Sequence, residues 1–308
     1  SNPDDAKVVP EHSVKSEMIM PLAVLGMILA VLVATKSGLN RDAVTIMMLN
    51  PALIFSIGRG YAEYTYLGIL AIAWIAWKQN KDSEEQPFLP RLTSIAIASL
   101  LILSIWSLKL KVEPMEMLLP LLLLVAIGYL IDKLPNQWLN PQKSLFGGFA
   151  FGICSIVIAG ILGYGSFSVV TNEPVRFMQA LPISVFGVII VYGLVGMVLW
   201  PFVRETWGRM GDSTDRITGE LSLFIGIMSG LIVAYVACLW TYESVLWNSE
   251  WPWHMWTMGN NGRYITILVI PCYLLIQRVN KELDWRQPMA IGGILLILPL
   301  SMAAGIHG

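Results

Sequence analysis

The sequence predicts an all-α protein, a polytopic transmembrane helical bundle of about ten spans, and three observations lead there. Hydrophobic residues fill 56% of the 308 positions and charged residues only 13%, with a mean hydropathy of +0.64. Soluble globular domains carry about twice that share of charge. About ten apolar runs, each roughly 15 to 24 residues, follow one another; this length suits a hydrocarbon core of about 30 Å at about 1.5 Å per residue. The Lys and Arg residues concentrate in alternate loops between these runs.

The elements follow in order. Residues 1–18 form a polar segment. Spans are expected at 19–36, 44–58, 62–77, 92–108, 115–131, 144–165, 179–203, 220–241, 264–279 and 288–305. With residues 1–18 outside and one crossing per span, the inner loops hold thirteen of the twenty basic residues, among them Lys36, Arg41, Lys133, Lys143, Arg204, Arg216 and Arg278. The outer side holds seven: Lys7, Lys15, Arg59, Lys109, Lys111, Arg176 and Arg263. Cation excess marks the cytoplasmic side, which makes the chain an integral multi-pass protein of the cell membrane, or of an endomembrane in a eukaryote. The inner stretches 79–91 and 204–215 read as plain solvated linkers, and Pro51 and Pro271 as interruptions of their helices. Gly148 and Gly152, followed by Gly160 and Gly163, read as small residues for close helix approach.

Several function classes are disfavoured. A net charge of -1 argues against a nucleic-acid partner. Cys154, Cys238 and Cys272 share no metal-ligand spacing and read as small apolar packing residues within spans. No P-loop or GxSxG is present. No span carries Asp, Glu, Lys or Arg near its centre, which weighs against an ion-coupled transporter. The chain opens Ser1-Asn2-Pro3 without a signal-peptide pattern, and is expected to be a fragment of a longer protein.

Chemistry concentrates at the outer ends. In the stretch from Asn50-Pro51 to Gly58-Arg59-Gly60-Tyr61-Ala62-Glu63, the glycines allow a tight turn, and Arg59 and Glu63 stand four apart, on one helical face. The alternative for both is simple snorkelling to water, although the short stem of Glu63 makes this harder for the carboxylate. Lys109, Lys111, Glu113 and Glu116 crowd the next outer turn, which is either a solvated hairpin or an anion site. Thr171–Phe177 is a third outer loop. The longest, 242–262, carries Trp247, Trp251, Trp253 and Trp256 with His254, before Arg263-Tyr264. It reads either as an aromatic belt or as an interfacial segment seating a lipid-linked substrate.

These motifs, in this order, resemble the GT-C class of integral-membrane glycosyltransferases, over residues 19–131 and more weakly over 220–279. The resemblance rests on Asn50-Pro51 leading to Arg59 and Glu63, on Lys111-Val112-Glu113-Pro114, and on Arg263-Tyr264 opening a late span. It implies transfer of a sugar from a polyprenyl-phosphate donor to an acceptor on the outer or luminal face. It assigns Glu63 and Asp5 to catalysis and Arg59, Lys111, Arg263 and Tyr264 to the donor phosphate. Trp251, Trp253 and His254 line the lipid or acceptor groove. No cofactor is required by the residues, while some branches of the class use a divalent metal. One departure is serious: the class places its catalytic Asp in a long first outer loop, and Asp5 stands only 58 residues before Glu63. A transporter and a non-catalytic membrane assembly subunit remain as alternatives.

The cation asymmetry yields a direct expectation. Cysteines introduced at Ser83 and Ser213 should stay shielded from an impermeant thiol reagent in sealed cells, and one at Asn260 should label. Labelling at position 83 from outside overturns the orientation.

Overall fold

The computed structural model describes residues 28, 31–32, 34–35, 38–48, 50, 135, 138–163, 165–189, 203–242, 264–280 and 283–285. They form helices α1 (Arg41–Met48), α2 (Pro141–Ile161), α3 (Val169–Asn172), α4 (Pro174–Ser184), α5 (Val203–Asp212), α6 (Arg216–Tyr242) and α7 (Thr266–Val279), with a 3₁₀ turn at Gly165–Ser168. The all-α class holds for these residues, among which no strand occurs.

Local chemistry explains the helix boundaries. Asn140 caps α2, its side-chain carbonyl accepting from the Lys143 amide at 3.2 Å, and Pro141 occupies the first position, where an amide hydrogen has no helical partner. At the other end the Gly163 amide donates to Gly160 at 3.0 Å, with Gly163 at φ 79, a left-handed conformation that glycine adopts without strain. In α4, Pro182 sits inside the helix and the following residues 185–189 widen into a π-type turn. The missing proline amide is a recognised cause of such a change of winding.

The pair α2 and α6 forms the closest helix contact and runs parallel. Gly148 faces Leu223 and Ile227, and Gly152 faces Ile227 and Leu231, both partners advancing together along the two chains. From the other side, Gly226 meets Leu145 and Phe149, and Gly230 meets Phe149. A Cβ at Gly226 would stand 2.2 Å from the Leu145 carbonyl oxygen, and one at Gly152 would stand 2.4 Å from that of Ile227. Backbone therefore packs on backbone, which only small residues permit. A parallel pair needs a return segment between its members, and α4 begins that return where α2 ends.

α2 is turned inside out relative to a soluble core helix. Its buried positions Ser144, Gly148, Gly152, Ile156 and Gly160 recur every four residues and are mostly small. Several large apolar side chains point outward instead: Phe146, Phe151, Ile158, Ile161 and, just past the helix, Leu162 are all exposed. Only 28% of its most apolar stretch is buried, against 61% for α6. The large-residue core lies elsewhere, around Leu221, Val233 and Val236 of α6, Phe177 of α4, Val269 and Tyr273 of α7, and Ile46 and Met47 of α1.

The structure corrects several expectations. Two helices, α2 and α6, are long and apolar enough to cross a membrane among the described residues, not ten. They coincide with the expected spans 144–165 and 220–241, at about 31 and 40 Å of helix. Helix α7 lies within 264–279 but has only 14 residues. Expected spans 62–77, 92–108, 115–131 and 288–305 fall outside the described residues, as do the polar segment 1–18 and most of the Trp-rich loop. The expected outer loop 171–177 is largely helical, with α4 starting at Pro174 rather than near 179. The expected linker 204–215 contains α5, whose Thr206 and Met210 are buried. Pro271 does not interrupt α7, which continues to Val279. Cys238 is buried and Cys272 half-buried, as packing residues should be, but Cys154 is exposed on the outward face of α2.

The glycine contact sets a measurable stability difference. Gly226→Val should cost about 3 kcal/mol or more, at the top of the overpacking range, because the clash is with backbone. Gly147→Ala, with nothing within 4 Å of its new methyl group, should be nearly neutral. Equal melting temperatures for the two variants in detergent would refute the contact.

Candidate functional sites at the two ends of the bundle

Hydrogen bonds gather the polar residues of four separate segments at one end, the base. Asp215 is the hub. Its Oδ2 accepts from the Thr218 hydroxyl at 2.6 Å and the Thr218 amide at 3.2 Å, so it caps α6. The same oxygen accepts from Arg278 Nη2 at 2.9 Å and Nε at 3.3 Å, at the end of antiparallel α7. The acid stands at a positive helix start and the guanidinium at a negative helix end, so both helix dipoles favour the pair. Arg216 and Glu220 form a second ion pair one turn on, at 2.7 Å.

Around this hub, Asn140 donates to the Gly211 carbonyl at 3.0 Å and Gln142 to that of Trp207, tying α5 to the start of α2. Asn280 donates to the Thr206 hydroxyl at 2.6 Å, tying α5 to the end of α7. The Gln277 side chain accepts from the Asn40 amide and donates to the Gly38 carbonyl, both at 2.7 Å, which joins α7 to the start of α1. The four segments brought together (38–41, 140–142, 207–216 and 277–280) are all ones the cation pattern assigns to the same side.

Burial would raise the Asp215 pKa, but the Thr218 hydroxyl, the Arg278 guanidinium and the Thr218 amide together hold it below the usual 3.8. A carboxylate so engaged is a poor proton acceptor, and the cluster is structural. Composition hides these residues, because the charge density of 204–215 reads as a linker. The signal was available: Asp215 three residues before Thr218, at the head of an apolar run, is an N-cap pattern.

At the opposite end the structure describes one residue expected in the donor site. Tyr264 is half-buried and packs edge-on against Tyr235 of α6, with ring centroids 5.3 Å apart. Tyr235 in turn meets Phe167 at 6.2 Å, also edge-on. This row joins the start of α7, the C-terminal part of α6 and the turn after α2, and neither Tyr235 nor Phe167 stands out in the sequence. Asp5, Arg59, Glu63, Lys111, Trp251, Trp253, His254 and Arg263 lie outside the described residues, and so does the expected convergence of Arg59, Lys111 and Arg263. Asn50, which opens the stretch leading to Arg59, is fully buried and hydrogen-bonded to the Tyr273 phenol, which stacks on Trp285. Among the described residues no three His, Cys, Asp or Glu side chains gather as a metal site. Comparison with known proteins finds no matching family model, curated protein or solved structure.

Asp215→Ala should lower stability by about 1 kcal/mol, the usual value of a cap. Arg278→Gln should cost less, because both partners of that ion pair are more than 40% exposed and screened. The depressed pKa sets the sign of the pH effect. The stabilisation is fully present above 3.8 and is lost as pH falls through the lower folded value. Thermal melting from pH 6 to pH 2 (about the accessible range) should therefore show a smaller acid-side drop in Asp215→Asn than in the natural protein.

Proposed function

We propose that this chain is an integral multi-pass membrane protein that transfers a sugar from a polyprenyl-phosphate donor to an acceptor on the outer or luminal face. The observation that carries the membrane part is α2, which exposes Phe146, Phe151, Ile158 and Ile161 and buries Gly148, Gly152 and Gly160. An aqueous protein loses about 1.5 to 3 kcal/mol for each such side chain left in water rather than buried, and a continuous apolar flank marks a lipid or protein contact. The parallel course of α2 and α6 and the opposed course of α7 support repeated crossings. The catalytic part rests on the order and common sidedness of the sequence motifs.

In the proposed reaction the acceptor hydroxyl oxygen attacks the anomeric carbon of the donor. The bond from that carbon to the phosphate oxygen breaks, and the polyprenyl phosphate leaves. Lys111, Arg59 and Arg263 would neutralise the leaving phosphate. Glu63, or Asp5, would take the acceptor proton. Trp251, Trp253 and His254 would line an apolar mouth for the isoprenoid tail, and Tyr264, held by the aromatic row, would fix the adjacent Arg263. The step uses side chains of this chain; a divalent metal is the one cofactor the resemblance brings in.

The test is Glu63→Gln in the full-length protein, assayed for sugar transfer from polyprenyl-phosphate donors. The rate should fall about 10²- to 10⁴-fold, as for loss of a general base. Stability should change by about 0.5 kcal/mol or less. A folded variant with near-full activity assigns Glu63 to interfacial solvation instead, and absence of transfer by the natural protein removes the enzymatic reading.

A further inference from the structure

The exposed apolar flank of α2 ends at the base in an aromatic and cationic corner. Phe146, 64% exposed, is the last large apolar residue of the flank, and Trp138, 66% exposed, lies in the turn below it. Phe146 meets Trp207 of α5 edge-on, with ring centroids 5.3 Å apart. Each ring has a cation three residues before it on its own helix: Lys143 before Phe146 and Arg204 before Trp207, both cations exposed. Residues three apart share a helical face, and the bonds of Asn140 to Gly211 and of Gln142 to Trp207 show the two helices running in opposed directions, so Lys143 and Arg204 lie about one turn to either side of the ring contact. The Asn140 and Gln142 hydrogen bonds to α5 hold this arrangement.

No described carboxylate pairs with either cation of the corner. Glu205 of α5 is engaged by Arg209 at 2.5 Å. Asp212, next to the Gly211 that Asn140 binds, makes no ion pair with Lys143 or Arg204. Neither Lys143 nor Arg204 has an ion pair among the described residues.

We propose that this corner binds the headgroups of anionic phospholipids and seats the foot of α2 at the leaflet surface. The chemistry selects that occupant. The rings continue the apolar flank and suit the boundary between acyl chains and headgroups, where Trp is enriched. The guanidinium and ammonium groups reach past them to phosphate. A free phosphate in water would use the cations and leave the rings without a role. The corner also lies on the side to which the cation pattern assigns the cytoplasmic leaflet, whose surface is anionic. The proposal rests on the membrane reading and is independent of the glycosyltransferase reading.

The experiment measures the association of spin-labelled phosphatidylglycerol, relative to spin-labelled phosphatidylcholine, with the full-length protein reconstituted in vesicles. Alkaline-carbonate extraction is run in parallel. The natural protein should prefer phosphatidylglycerol, and Lys143→Gln and Arg204→Gln should each reduce the preference about fivefold, the value of one cation near an anionic surface. The charge-preserving pair Lys143→Arg with Arg204→Lys should retain it. Retention of the full preference in the double Gln variant, or its absence in the natural protein, overturns the site while leaving the membrane reading intact. Extraction of the natural protein by carbonate overturns both. Disulfide formation between copies carrying Phe146→Cys would assign the corner to a second copy and also overturn the proposal.

Discussion

Backbone-to-backbone contact between α2 and α6 determines much of what surrounds it. With glycine at 148, 152, 226 and 230, the two helices approach until carbonyl oxygens would collide with any added Cβ. The gain comes from dispersion over a close, extended surface and from weak Cα–H···O contacts, which need no water to drive them. Because the two helices lie parallel, both N-termini fall at the same end. The caps Asn140 and Asp215 are thereby brought to one base, and the ends of α5 and α7 complete it.

That base has a different physical basis from the flank. It consists of capped helix starts, antiparallel dipoles and side-chain amides that bind loop carbonyls, each contribution modest and most partly open to solvent. The flank of α2 is uniformly apolar, and its small residues face inward. The proposed membrane setting, wet at the base and dry along the helix, would account for this division into a polar base, an apolar flank and a glycine-lined interior.

Comparison of particular elements shows why some features were legible and others were not. The glycines of α2 stand at four-residue spacing within one run, so their packing role could be read without coordinates. The helix starts at Pro141 and Arg216 follow from a proline and from an Asp-to-Thr cap, both local signals that lie just ahead of the apolar runs at 144–165 and 220–241. α5 was taken for a linker because its charge density hides two buried residues, Thr206 and Met210, whose burial depends on α2 and α7. Pro271 was read as a break, yet α7 carries it. The aromatic row Phe167–Tyr235–Tyr264 joins residues nearly one hundred positions apart (about 97 by number) and has no sequence period to reveal it. The proposed site residues other than Tyr264 belong to segments outside the described residues.

The sequence by itself determined the helical class, the apolar character of the two long helices and the common side of the loops that carry their cations. All three follow from composition and local spacing. Tertiary structure decided that α2 turns Phe146, Phe151 and Ile158 outward, that α5 braces the base, and that Phe146 and Trp207 meet near Lys143 and Arg204, which have no ion pair among the described residues. A period of about 3.6 residues says which side chains share a face but not which face a neighbour covers. That choice was made by the glycines of α6, through contacts between residues about seventy to eighty positions apart.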